Sequence, residues 1–250
     1  MKNHHQLIYL SFLLIFSSCK KNAADLTQIP SNSGVAIDRP TNDSLDTPAV
    51  IVIIGASTAA GTGANPADSA WVNRLRLETM SNPRQLNYVN LAKGGFTTYQ
   101  GMPSGFVKAG RPLPDTARNI TKALSLHPNL VMITFPSNDL ANGYAPEEVI
   151  SNYAAMVQKL DSARVPYILF GTQPRNLNTI NQRMALQTLN VQLKSIYTAK
   201  ANDYYDQLST ADYRIKPELS FGDGIHLNNK GHYLIVTAVR NHPVFRSVIN

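Results

Sequence analysis

Residues 49–54, Ala-Val-Ile-Val-Ile-Ile, carry no polar side chain, and the run ends at once on the small residues Gly55-Ala56-Ser57-Thr58-Ala59-Ala60-Gly61. A strand with one wet face alternates polar and apolar residues. One that is apolar throughout needs cover on both faces, which a parallel sheet with helices above and below supplies. This run therefore predicts an α/β chain built around a covered parallel sheet.

The remaining sequence alternates as that expectation requires. Helical spacing at Trp71, Leu75 and Leu77 to Met80 is followed by a strand at 88–91, a helix at 116–126 and a buried strand at 130–135. Pro146 with Glu147 and Glu148 marks a helix start, because proline needs no amide donor there and acids suit the positive helix end. That helix is expected to run to about residue 163, before a strand at 167–170. A long helix at 177–199, a short strand around 204–206 and a last helix at 228–239 complete the pattern. The expected fold class is a three-layer α/β/α arrangement with a central parallel sheet.

Before residue 49 the chain reads differently. Met1-Lys2, an apolar run from 7 to 16 and the small pair Ser17-Ser18 have the layout of a secretory signal. The single cysteine of the chain, Cys19, follows directly, and Phe16-Ser17-Ser18-Cys19 resembles a bacterial lipobox, in which that cysteine is lipidated. The alternative is an ordinary secreted protein with an incidental cysteine. Residues 20–48, rich in Asn, Asp, Ser, Thr and Pro, lack periodicity and read as a tether. The expected organisation is a signal at 1–18, a tether at 19–48 after the lipidated Cys19, and one domain at 49–250, held in the bacterial envelope by its lipid anchor. One cysteine leaves no disulfide framework or cysteine-rich metal site within the chain. The formal charge is +7, but the 23 basic residues are dispersed, with no run beyond Lys20-Lys21, which argues against a nucleic-acid partner.

Ligands of open parallel sheets bind beyond the carboxyl ends of the strands. Ser57 falls there, just past the first strand. A small-residue turn at this place is also compatible with a structural or phosphate-binding role, although no Gly-Lys-Ser/Thr follows. A serine nucleophile needs a base. His4 and His5 fall in the signal, His127 and His242 precede prolines, and His232 lies within the last predicted helix. His226 closes Asp223-Gly224-Ile225-His226, where residues three apart can face each other. An aspartate capping the next helix beside a solvent-facing histidine would give the same pattern.

Four segments taken together resemble the ordered blocks of the SGNH (GDSL) hydrolases. They are Gly55-Ala56-Ser57-Thr58, then Asn90-Leu91-Ala92-Lys93-Gly94-Gly95-Phe96-Thr97-Thr98, then Pro136-Ser137-Asn138-Asp139, and finally Asp223-Gly224-Ile225-His226. The resemblance implies a flavodoxin-like sandwich, a Ser57-His226-Asp223 triad, and an oxyanion hole made by Ser57, Gly95 and Asn138. It implies no cofactor and no metal. Two positions depart from the family pattern: Ala56 replaces the usual aspartate, and Pro136 stands where glycine is usual. Gln173-Pro174-Arg175 accompanies the third block in related envelope sequences, and Arg175 reads as either a substrate contact or one half of a structural ion pair. The implied activity is ester hydrolysis, with deacetylation of a glycan or another small ester in the cell envelope as the expected reaction. Acyl transfer through the same site, or ligand binding without turnover, are the alternatives.

Overall fold

The computed structural model describes residues 47–250. The expected signal, Cys19 and nearly all of the tether lie outside the described residues. The chain enters through β1 (Ala49–Gly55) and passes through α1 (Ser57–Ala60), α2 (Trp71–Glu78), β2 (Leu86–Asn90), α3 (Thr98–Gly101) and α4 (Ile120–Leu124). It continues through β3 (Leu130–Thr134), α5 (Asn138–Ala141), α6 (Pro146–Ser162), β4 (Tyr167–Phe170) and α7 (Ile180–Tyr197). The last elements are β5 (Ala201–Asn202), α8 (Tyr205–Leu208), α9 (Asn229–Asn241) and α10 (Pro243–Ile249).

The strands pair in the order β2-β1-β3-β4-β5, every pair parallel. Side chains alternate across each strand, so each feeds two cores. Ile51 and Ile53 of β1 join Leu130, Met132, Ile168 and Phe170 under α2, α9 and α10, against Trp71, Leu75, Val236 and Phe245. Val52 and Ile54 join Val131, Ile133 and Leu169 on the other face, under α4, α6 and α7, against Ile120, Met156, Leu160 and Leu189. This is the three-layer arrangement expected from the apolar run, and all four isoleucine and valine side chains named from β1 are fully buried.

The strand order also locates the site. From β1 the chain goes first to β2 on one side and then to β3 on the other, so the loops leaving β1 and β3 diverge and open a crevice between them. Gly55 and Thr134 are register partners at the ends of these strands. Segments that start 79 residues apart in sequence therefore begin side by side.

Several boundaries differ from the sequence expectation. The helix expected from 116 starts only at Ile120, because Asn119 stops it by accepting the Lys122 amide at 2.9 Å. The helix expected from 177 starts at Ile180, behind a capping box between Thr179 and Gln182. The short strand expected at 204–206 is instead the start of α8, and β5 lies earlier, at Ala201–Asn202, where it pairs with β4. The last helix of the expectation is followed by α10, which starts at Pro243 with His242 as its cap.

Candidate active site

Ser57 is the first residue of α1, and its position follows from the tightness of the turn before it. A Cβ on Gly55 would lie 2.3 Å from the Thr134 carbonyl oxygen, so only glycine lets β1 end this close to β3. The Ala56 amide then donates to that same carbonyl at 3.0 Å. Ala56 is fully buried, packed in the core with Val52, Ile54 and Phe96. A side chain in that setting has apolar neighbours, which suits alanine and not an aspartate.

The support for the turn comes from Thr58 instead. Its hydroxyl donates to Gln173 Oε1 at 2.8 Å, and Gln173 Nε2 donates to the Ile225 carbonyl at 2.9 Å. Gln173 is 1% exposed, and its own amide donates to the Pro136 carbonyl at 3.3 Å. One buried side chain thus joins the residue after Ser57 to the residue before His226. Gly63 works from the other side: a Cβ there would lie 2.1 Å from the Leu227 oxygen and 3.3 Å from the His226 Cβ, and φ is +93°. His232 of α9 holds the neighbouring turn, accepting the Trp71 amide at Nδ1 and donating from Nε2 to the Thr62 carbonyl. Burial pushes the His232 ring below the ordinary histidine range, which keeps it neutral and able to accept at Nδ1.

These contacts bring Ser57, His226 and Asp223 into line. Ser57 Oγ is 2.9 Å from His226 Nε2, and His226 Nδ1 is 2.6 Å from Asp223 Oδ2. The other carboxylate oxygen, Oδ1, accepts the Ile225 and His226 amides at 2.9 and 2.8 Å. Burial works against the Asp223 charge, but the His226 and Ile225 donors outweigh it and hold the carboxyl at about 2. Asp223 is thus an anion at neutral pH, and it favours the tautomer with the proton on Nδ1, leaving the Nε2 lone pair facing the serine.

Two further segments border this turn. A Cβ on Gly94 would be 4.0 Å from the Ser57 Cβ, so the Gly94-Gly95 turn lies against the serine. Gly95 has φ of +81° and no atom within 4 Å of where a Cβ would stand, which leaves that side open. The amides of Ser57 and Gly95 donate to no other group among the described residues. Asn138, the first residue of α5, donates from Nδ2 to the Phe96 carbonyl at 2.8 Å and accepts Arg175 Nη1 at Oδ1, at 3.0 Å. Arg175, expected as either a substrate contact or half of an ion pair, is therefore placed against Asn138.

Asp139 secures the same region from below. It is 2% exposed, and its carboxylate accepts the Thr98 amide and hydroxyl, while Asn152 donates to that hydroxyl at 2.7 Å. Burial pushes the Asp139 carboxyl up to about 6, against the opposing pull of the Thr98 hydrogen bonds. Of the residues expected from the sequence, Asp223, His226 and Ser57 form one hydrogen-bonded line, the turn holding Gly95 lies against Ser57, and Asn138 is joined to Arg175 and to the Phe96 carbonyl. Gln173, Gly63 and Asp139 were not assigned roles from the sequence. Gln173 was within reach of such an argument, since it follows β4 at the carboxyl end of the sheet.

Known proteins share this architecture. The chain resembles a candidate acylhydrolase from Bacteroides fragilis, at 20% identity over 82% of this chain and 92% of that one, with a TM-score of 0.59. It resembles the psychrotrophic esterase EstA from Pseudoalteromonas sp. at 19% identity over 80% of this chain and 99% of that one, TM-score 0.56. A two-domain esterase active on acetylated mannans is similar at 18% identity over 82% of this chain and half of that one, TM-score 0.53. No curated protein matches by sequence. The family model described as GDSL-like Lipase/Acylhydrolase matches residues 53–234, from within β1 into α9, and with so much of the chain covered the protein belongs to that family.

Proposed function

We propose that this member of an ester-hydrolase family cleaves its substrate through Ser57, with His226 as general base and Asp223 as the residue that orients it. The observation that carries the reading is the continuous hydrogen-bonded line from Asp223 through His226 to Ser57 Oγ. His226 Nε2 takes the hydroxyl proton as Ser57 Oγ bonds to the ester carbonyl carbon, and the carbonyl oxygen gains the negative charge. The Ser57 and Gly95 amides and Asn138 Nδ2 are the donors available to that oxygen, a type of stabilisation worth about 2.7–4 kcal/mol per donor. Collapse of the tetrahedral species breaks the bond to the alcohol oxygen, which leaves with the proton from His226. Water, deprotonated by His226, then attacks the acyl-serine; the acid leaves and Ser57 recovers its proton.

The substrate in this reading is a glycan or other small ester bearing acetyl or similarly short acyl groups. The open side at Gly95 supports access by a bulky alcohol portion, and a protein of the same fold acts on acetylated mannans. The reading also places the protein in a bacterial envelope, tethered through lipidated Cys19, because that cysteine follows an apolar run and a small pair. Cys19→Ser should release the protein from the membrane fraction; unchanged membrane association with no lipid on Cys19 would refute the anchor.

The decisive experiment offers p-nitrophenyl esters of increasing chain length to the protein and, in parallel, a fluorophosphonate that labels activated serines. The expected result is turnover that is highest with acetyl and covalent label at Ser57 alone. Ligand binding without turnover or label would establish a non-catalytic binding protein, and label at another serine would displace Ser57.

A further inference from the structure

Asn138 can serve an oxyanion only with its nitrogen facing it, and an asparagine amide is nearly symmetric in shape, so packing alone does not choose between its two orientations. Two partners choose here. Arg175 Nη1 can only donate, and it lies 3.0 Å from Oδ1. The Phe96 carbonyl oxygen can only accept, and it lies 2.8 Å from Nδ2. Turning the amide over would set donor against donor and oxygen against oxygen, losing both bonds. In the orientation observed, Nδ2 retains one N–H beyond the one given to Phe96.

Arg175 is itself held in place from both sides. Two residues before it, Gln173 is fixed to Pro136 and Ile225, and directly after it the Asn176 amide donates to the Gly224 carbonyl at 2.8 Å. Asn176 Oδ1 in turn accepts the Ile215 amide at 2.9 Å. The segment after β4 thus touches the ends of β1 and β3 and the Asp223–His226 turn, with the guanidinium in the middle. Half-burial pushes the Arg175 guanidinium below its ordinary range while the nearby Asp223 charge acts in the opposite direction. An arginine stays charged under such shifts, so its bond to Oδ1 is of the charge-assisted kind.

We propose that Arg175 is a positioning residue of the ester-cleaving centre: its guanidinium fixes the Asn138 amide so that the free Nδ2–H is available to the reacting carbonyl oxygen. The proposal rests on the ester-hydrolase reading above. A residue that acts through another makes a distinctive kinetic pattern. Its removal lowers kcat and spares KM, and it does nothing further once the residue it positions is gone.

The test compares Arg175→Ala, Arg175→Met, Asn138→Ala and the double variant Arg175→Ala/Asn138→Ala in the full chain, using a p-nitrophenyl ester that the wild type turns over. Arg175→Met retains most of the apolar stem and guards against loss of folding, which circular dichroism monitors. Losing a hydrogen bond to a charged group predicts a fall in kcat of about 10–100-fold in either Arg175 variant, with KM nearly unchanged. The double variant should be no slower than Asn138→Ala alone, and millimolar guanidinium should restore activity to Arg175→Ala but not to the double variant. A loss carried by KM, or losses that multiply in the double variant, would instead make Arg175 a direct substrate contact and overturn the proposal. Unchanged kcat in folded Arg175 variants overturns it while leaving the ester-hydrolase reading intact. A wild type that neither turns over esters nor labels at Ser57 overturns both.

Discussion

Asp223 uses its two carboxylate oxygens for different tasks: Oδ1 is tied to the Ile225 and His226 amides and Oδ2 faces His226 Nδ1. The division predicts what Asp223→Asn would do. The backbone amides would keep the remaining oxygen, so the new NH₂ would face Nδ1, force the proton onto Nε2 and leave no lone pair toward Ser57. We expect kcat to fall about 10⁴-fold with the fold intact, measured by ester turnover and circular dichroism. Asp139 predicts a pH effect of opposite sign to that of most carboxylates. Its native value of about 6 lies above the 3.8 of the free side chain, so the native state binds more protons between those values, and the stability linked to this group is present below about 4 and lost as pH rises through about 6. The shift corresponds to about 3 kcal/mol at most. Chemical unfolding at pH 4 and pH 7 should therefore show the wild type losing ground to Asp139→Asn as pH rises, by up to that amount; a pH-independent difference would refute the burial argument.

The turns at the carboxyl edge of the sheet carry the geometry at the next scale up. The segment after β1 and the segment before α9 interlock at Gly63, which combines a positive φ with contact against the Leu227 carbonyl. Gly63→Ala should displace His226 from Ser57 and cost both activity and stability, the latter by about 1–3 kcal/mol. The check is whether fluorophosphonate labelling of Ser57 slows in step with the drop in unfolding midpoint. Gln173 links the same two segments from the buried side. Gln173→Leu keeps the approximate volume but strands the Thr58 hydroxyl and the Ile225 carbonyl, each unsatisfied polar group costing about 1–3 kcal/mol. A lowered melting temperature with kcat reduced more than KM is expected, and unchanged kcat would limit Gln173 to a structural role.

For the molecule as a whole, the two cores on either face of one sheet bear the stability that keeps these turns aligned. Ile53 lies at the centre of one of them, fully buried between neighbouring strands and under α9. Ile53→Ala should cost about 2–5 kcal/mol in chemical unfolding, with kcat nearly retained in the molecules that remain folded. The architecture was legible in the amino-acid order alone, because a parallel sheet writes its burial into runs such as 49–54, and periodicity is a local property. It also singled out candidate site residues, since four short blocks in order resemble those of a known family. How those residues are held follows from contacts made in the folded chain. Neither the bond from Thr58 to Gln173 nor that from Arg175 to Asn138 is visible in a chain where the partners stand 115 and 37 residues apart. The departure from the usual aspartate at Ala56 leaves the sequence with no visible support for the turn, whereas in the fold that position is apolar core and the bracing comes from Gln173, in the segment after β4. The segment at 204–206 departs from the expected strand for the same reason: with so few residues, the choice between strand and helix follows from which neighbour offers hydrogen bonds, and that is set by the sheet edge, not by local pattern.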